Sequence, residues 1–142
     1  MLIAKNPEFE QIVKTAVLTM PAAMHLGFHF GHIAPGEVEL VQPYRTELTE
    51  HNGLFQGGVI GALADFAGGA AAGTLLPVGW VNMTADYTVK LLAPAEGETI
   101  TARGHVLKPG RAITVATADV YAGETHCATA LITMRNVPLA KE

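Results

Sequence analysis

The chain has 142 residues, of which 49% are apolar, 15% charged and 6% aromatic, with a formal net charge of −4. That length suits a single domain spanning 1–142 with a real core, and the composition is too apolar for a disordered chain. Net negative charge argues against nucleic acid as the main partner, because phosphate binding needs a basic face. The sequence contains no Ser and one Cys, Cys127, which excludes a Ser-based hydrolase and an internal disulfide. So little charge on a small chain points to surface covered by another subunit. The N-terminal MLIAKNPEFEQIV lacks the basic region and apolar run of a signal peptide. Val59 to Trp80 is apolar but broken by Asp65, Gly68-Gly69 and Pro77. A charge at mid-bilayer costs about 3 kcal/mol, so a buried helix is expected there, in a cytoplasmic protein with no membrane span.

In chain order, Asn6, Pro7 and Glu8 form a helix start, and Phe9, Ile12, Val13, Ala16, Val17 and Met20 recur at helical spacing up to Pro21. Leu26 to Ile33 and Glu37 to Tyr44 read as a hairpin turned by Ala34-Pro35-Gly36, followed by a polar loop over Arg45 to Asn52. Gln56 to Gly73 is apolar on every face except at Gln56 and Asp65, and holds six glycines. Such a helix forms only where packing supports it, and its small residues let a sheet approach closely. Trp80 to Leu91 alternates, with Val81, Met83, Ala85, Tyr87, Val89 and Leu91 predicted on one face. Strands over Thr99–Leu107, Arg111–Tyr121 and Thr125–Arg135 complete an α+β fold, an antiparallel sheet wrapped around the central helix.

Asp65 is the outlier, because a carboxylate among Leu63, Ala64, Phe66 and Ala67 is costly to bury and its pKa tends to rise. Gln56-Gly57-Gly58 opens the same helix, where backbone N–H groups lack partners. Without side chains at Gly57 and Gly58, a ligand carbonyl or oxyanion can reach those groups. Gln56 and Asp65 are nine residues apart, so they lie on opposite faces and roughly 13 Å apart. One subunit cannot direct both at one carbon. A two-fold dimer can, and if the two signals cooperate the sites are shared between subunits.

The segment HNGLFQGGVIGALADFAGGAAAG closely resembles the hallmark of PaaI-type hotdog-fold acyl-CoA thioesterases, N-x-x-G-x-x-H-G-G-x-x-x-x-L-x-D. Gly53, Gly57, Gly58, Leu63 and Asp65 match at the family's spacing, and Leu91 to Glu98 (LLAPAEGE) resembles the family's FLRPA-like segment. The resemblance implies a hotdog fold, assembly as a homodimer or homotetramer, and hydrolysis of an acyl-CoA thioester. It implies that Asp65 is the catalytic base or nucleophile, that the Gly57 N–H is the oxyanion donor, and that Thr84 helps place the water or the carboxylate. Gln56 stands where the family has His, and can donate a hydrogen bond but cannot titrate. Glu50 stands where relatives often have Asn, and Asn52 nearby supplies the carboxamide for the substrate only if the loop shifts. For the coenzyme A phosphates, the basic turn Lys108-Pro109-Gly110-Arg111 is the expected rim. No cofactor beyond the substrate's coenzyme A is implied.

No His or Cys spacing resembles a metal site: His25, His29 and His32 cluster, but on a strand His32 points away from the other two. Cys127 is expected in the core. Two other classes fit the same residues. A non-catalytic acyl-CoA or small-molecule binding module accords with the missing His and Asn. An enoyl-CoA hydratase-like hotdog needs a His that this helix lacks.

Overall fold

The first helix starts later than Asn6 and Pro7 suggest: its N-cap is Glu8, with no side-chain capping bond, and Asn6 instead shapes the turn that leads into it. The Asn6 Oδ1 accepts the Glu8 N–H at 2.9 Å, and α1 runs Phe9–Leu18 in the computed structural model, which describes residues 1–140. Pro21 does more than end that helix. It occupies the first turn of a second one, α2 (Pro21–Leu26), closed by Gly27 at φ 80. Pro at a helix start and a left-handed Gly just past its end are the favoured pairing. This corrects the expected hairpin: Leu26 and His25 are helical, and the first strand begins at His29.

The strands are β1 (His29–Ala34), β2 (Glu37–Pro43), β3 (Trp80–Leu91), β4 (Thr99–Lys108), β5 (Ile113–Ala122) and β6 (Thr125–Pro138). A short 3₁₀ turn, Thr46–Leu48, precedes the central helix α3 (Gly57–Gly73). The six strands form one antiparallel sheet in the order β1-β2-β4-β5-β6-β3, and α3 packs against β2 through β6. The helix–sheet arrangement read from the sequence is thus present. Among the described residues no helix is long and apolar enough to cross a membrane.

Close approach explains the small residues. A Cβ at Gly104 of β4 would lie 2.3 Å from the Ala67 carbonyl oxygen, and one at Gly68 would lie 2.7 Å from Ile132 Cδ1. Leu63, Ala64, Ala67 and Ala71 are fully buried beneath this contact. The Thr74 hydroxyl then ties the end of α3 to the β1–β2 turn, accepting the Gly36 N–H at 2.7 Å and donating to the Ala71 carbonyl. One stripe of α3 remains only partly covered: Ala62, Asp65, Phe66, Gly69 and Gly73. Cys127 is fully buried, as expected.

β3 departs from simple alternation. It is one of the two edge strands, and its pairing with β6 shifts between Thr84 and Asp86. The bulge at Ala85 moves the chain on by one residue and reverses which side chains face the helix. Before it, Asn82 and Thr84 turn toward α3, bonding the Gly69 carbonyl and Asp65. After it, Tyr87, Val89 and Leu91 do so, approaching Gly61 and Gly57. The predicted single face from Val81 to Leu91 is therefore split in two.

Because the Ala67 backbone cannot yield as a side chain could, Gly104→Ala should lower the unfolding free energy by at least about 2 kcal/mol. Urea denaturation would measure this; an unchanged midpoint would contradict the close packing described.

Candidate active site

Asp65 sits in the ninth position of α3 on the partly covered stripe. Burial raises its pKa above the ordinary carboxylate value, while a hydrogen bond from the Thr84 hydroxyl, 2.8 Å from Oδ1, pulls the other way. The two residues are 19 apart in sequence and meet because the β3 bulge turns Thr84 inward. Nothing else on the chain hydrogen-bonds the carboxylate among the described residues, so its second oxygen is available. A half-buried carboxylate held by one hydroxyl is equipped to take a proton from water or to attack a carbonyl.

The start of α3 forms a second half-site. Gln56 caps the helix, its Oε1 accepting the Val59 N–H at 3.1 Å. A Cβ at Gly58 would fall 2.8 Å from that oxygen, so Gly58 makes room for the capping amide. The Gly57 and Gly58 N–H groups have no acceptor within the described chain. They belong to a helix N-terminus, the positive end of the macrodipole. Gly57 opens onto a groove of about 400 Å³ walled by Leu54, Phe55, Ile60 and the Leu91–Ala95 segment, with Glu50 at its edge.

Three expected substrate contacts lie elsewhere. The Asn52 amide is bound to Glu50: Asn52 N and Nδ2 donate to the carboxylate at 2.6 and 3.0 Å, and the Leu54 N–H adds a third bond at 3.1 Å. These bonds, the one from Leu54 foremost, hold the Glu50 carboxyl below its ordinary pKa. Asn52 therefore positions Glu50 and does not line the groove, because a carboxylate in that loop captures the nearest donors. Arg111 lies at the opposite end of α3, its guanidinium 5.8 Å from the Trp80 ring centre, over a cavity of about 470 Å³ that also includes Ala72, Leu75 and Leu76. Lys108 is exposed at the end of β4 and lines none of these spaces. Among the described residues, no group of three or more His, Cys, Asp or Glu side chains could hold a metal ion.

Gly57 and Asp65 are eight residues apart, about 12 Å along the axis and about 80° around it. One chain thus carries two half-sites. Sequence reasoning missed the inward turn of Thr84's strand and the capture of Asn52 by Glu50. The first had no signal in the alternation; the second had one, two polar residues at the spacing of a local side-chain-to-backbone bond.

Residues 52–129 match the family described as Thioesterase superfamily. The chain belongs to that superfamily, with the hotdog fold, and its class is that of a hydrolase acting at an ester or thioester carbonyl. A thioesterase family protein from Silicibacter pomeroyi is 36% identical, with 92% of this chain and 98% of that one aligned at a TM-score of 0.89. A Halobacterium salinarum protein, provisionally named an esterase, is 36% identical over 100 residues, 67% of this chain and 66% of that one. The Escherichia coli PaaI protein from the phenylacetic acid degradation operon shares the fold at 16% identity, with a TM-score of 0.84 over 96% of this chain and 100% of that one.

A carboxyl whose pKa is raised by folding favours the folded state while protonated, and that contribution is lost as pH rises through the raised value. Asp65→Asn should therefore unfold at a higher temperature than the wild type at pH 7. The gap should close as pH falls and Asp65 takes up its proton; a gap that widens on acidification would refute the burial argument.

Proposed function

We propose that the protein hydrolyses an acyl-CoA thioester to a free acid and coenzyme A, at sites shared between the subunits of a homodimer that pairs further into a tetramer. The observation that carries this reading is that Asp65, paired with Thr84 of β3, stands on the same helix whose N-terminus offers the unpartnered Gly57 N–H. Asp65 takes a proton from water as the hydroxyl oxygen bonds to the thioester carbon. The carbonyl oxygen becomes negative and is held by Gly57 N–H at the positive helix end. The C–S bond then breaks, and the coenzyme A thiolate receives the proton from Asp65. Attack by Asp65 itself, giving an anhydride that water opens, uses the same groups. No cofactor beyond the substrate's coenzyme A is required.

The free edge of β3 supports the dimer. Its 12 residues present unpaired backbone groups outward and expose Met83 and Leu91 at 51% and 55%. Antiparallel addition of a second β3 continues the sheet. It sets the Trp80 end of one subunit beside the Leu91 end of the other, and so brings Arg111 toward the partner's Gly57 groove. In that arrangement Arg111, with Lys108 further out, meets the coenzyme A phosphates.

Asp65→Ala should abolish thiol release while leaving a folded oligomer; retained turnover would overturn the reading. Thr84→Val removes the bond that favours the ionised carboxyl, so kcat should fall tenfold or more and the acid limb of the pH–rate profile should move to higher pH. Gly57→Pro removes the oxyanion N–H at a position where helices accept Pro. Mixing inactive Asp65→Ala and Gly57→Pro subunits should restore about a quarter of wild-type activity, since random pairing makes half the dimers mixed, each with one intact site. Hybrids that form and stay inactive would exclude shared sites.

A further inference from the structure

Asp65 shares its side of α3 with Gly69 and Gly73, which follow at i+4 and i+8 in steps of about 6 Å. Beside those two glycines, an apolar cleft of about 270 Å³ runs between α3, β3 and α1. Its outer wall is Ile12, Ala16 and Met20, and Trp80 also lines it. Ile12 and Ala16 belong to the part of the amphipathic face of α1 that the core does not cover, and Met20 follows at the cap of α2; Ile12 and Met20 keep 52% and 44% of their exposure. Apolar side chains left open around a concavity favour an apolar occupant.

Packing does not demand glycine at Gly73. A Cβ there would meet Val13 at 3.5 Å and Asn82 at 3.9 Å, both ordinary contacts, and the backbone is helical. Alanine would be the better helix former. At Gly69 the nearest neighbour is the flexible end of Met134, at 3.2 Å. A Cβ at Gly69 would therefore press on Met134, whereas glycine at Gly73, facing Val13 and Asn82 of the cleft wall, keeps the cleft open. Asn82, two residues before Thr84 on the same strand face, donates to the Gly69 carbonyl at 3.0 Å and stands where the polar site gives way to the apolar cleft.

We propose that this cleft receives the acyl tail of the substrate, and that Gly73 sets the chain length accepted. This rests on Asp65 being the hydrolytic carboxylate. From Asp65, a tail must cross one helical turn before entering the cleft. The cleft's volume matches about nine heavy atoms at roughly 30 Å³ each. The class this selects is an unbranched aliphatic acyl group of about eight to twelve carbons.

Trp80 is the chain's single tryptophan and lines the cleft, so its fluorescence reports occupancy independently of turnover. In an acyl-CoA series, kcat/KM should rise about fourfold per methylene from butyryl to decanoyl. Octanoate alone should shift Trp80 emission. Gly73→Leu should lower the decanoyl-to-butyryl ratio of kcat/KM at least thirtyfold and remove the octanoate response. The milder Gly73→Ala should shorten the preferred chain by one or two carbons, which guards against a misfolded Leu variant. If both variants are folded and the chain-length profile does not move, the cleft assignment is overturned although the hydrolase reading stands. An octanoate response lost in Gly73→Leu without turnover of any thioester would support the cleft and overturn the hydrolytic reading. Neither turnover nor a Trp80 response would overturn both.

Discussion

The contact between Gly104 of β4 and the Ala67 carbonyl sets the distance between helix and sheet, and most of the molecule follows from that distance. With the helix axis drawn so close, the buried positions of α3 admit only small side chains, apart from Leu63 and Ile60. The sheet touches α3 with five of its six strands and still leaves one stripe of the helix partly open. Asp65 lies on that stripe. Its raised pKa is thus a by-product of how tightly the helix is held: close enough to the protein to lose solvation, not so enclosed that a substrate is kept out.

The bulge at Ala85 is the second constraint. A strictly alternating strand cannot present Thr84 and Tyr87 to the same helix, because three residues separate them. One extra residue makes both possible, placing a hydroxyl on the carboxylate at one end of β3 and apolar side chains against the glycines of α3 at the other. Bulges beside active sites commonly re-aim side chains in this way.

The sequence was most informative where one physical requirement dominated. The glycine-and-alanine run, the turn at Pro35-Gly36 and the strand alternation in β4 to β6 each allow few alternatives, and the hotdog arrangement could be read from them with the motif around Gly57 and Asp65. Asp65 stood out because a carboxylate in an apolar helix has no other ready explanation. Elsewhere, competing local interactions decided. Pro21 could end one helix or begin another, and only the left-handed Gly27 downstream reveals the second. Asn52 reads in the sequence as a free carboxamide, but Glu50 two residues before it accepts from both its backbone and its side chain. The β3 bulge left no trace in the pattern, since apolar and polar residues alternate without a break from Val81 to Leu91.

The six glycines of the Gln56–Gly73 segment have one more consequence. Its sequence is a poor helix former in isolation. The carboxylate and the oxyanion donor therefore have no fixed geometry until the sheet has closed around the segment. Catalytic competence and tertiary order are a single cooperative property of this chain, so heating should extinguish activity along the same curve as the tertiary signal, without a partly folded species that retains a working site.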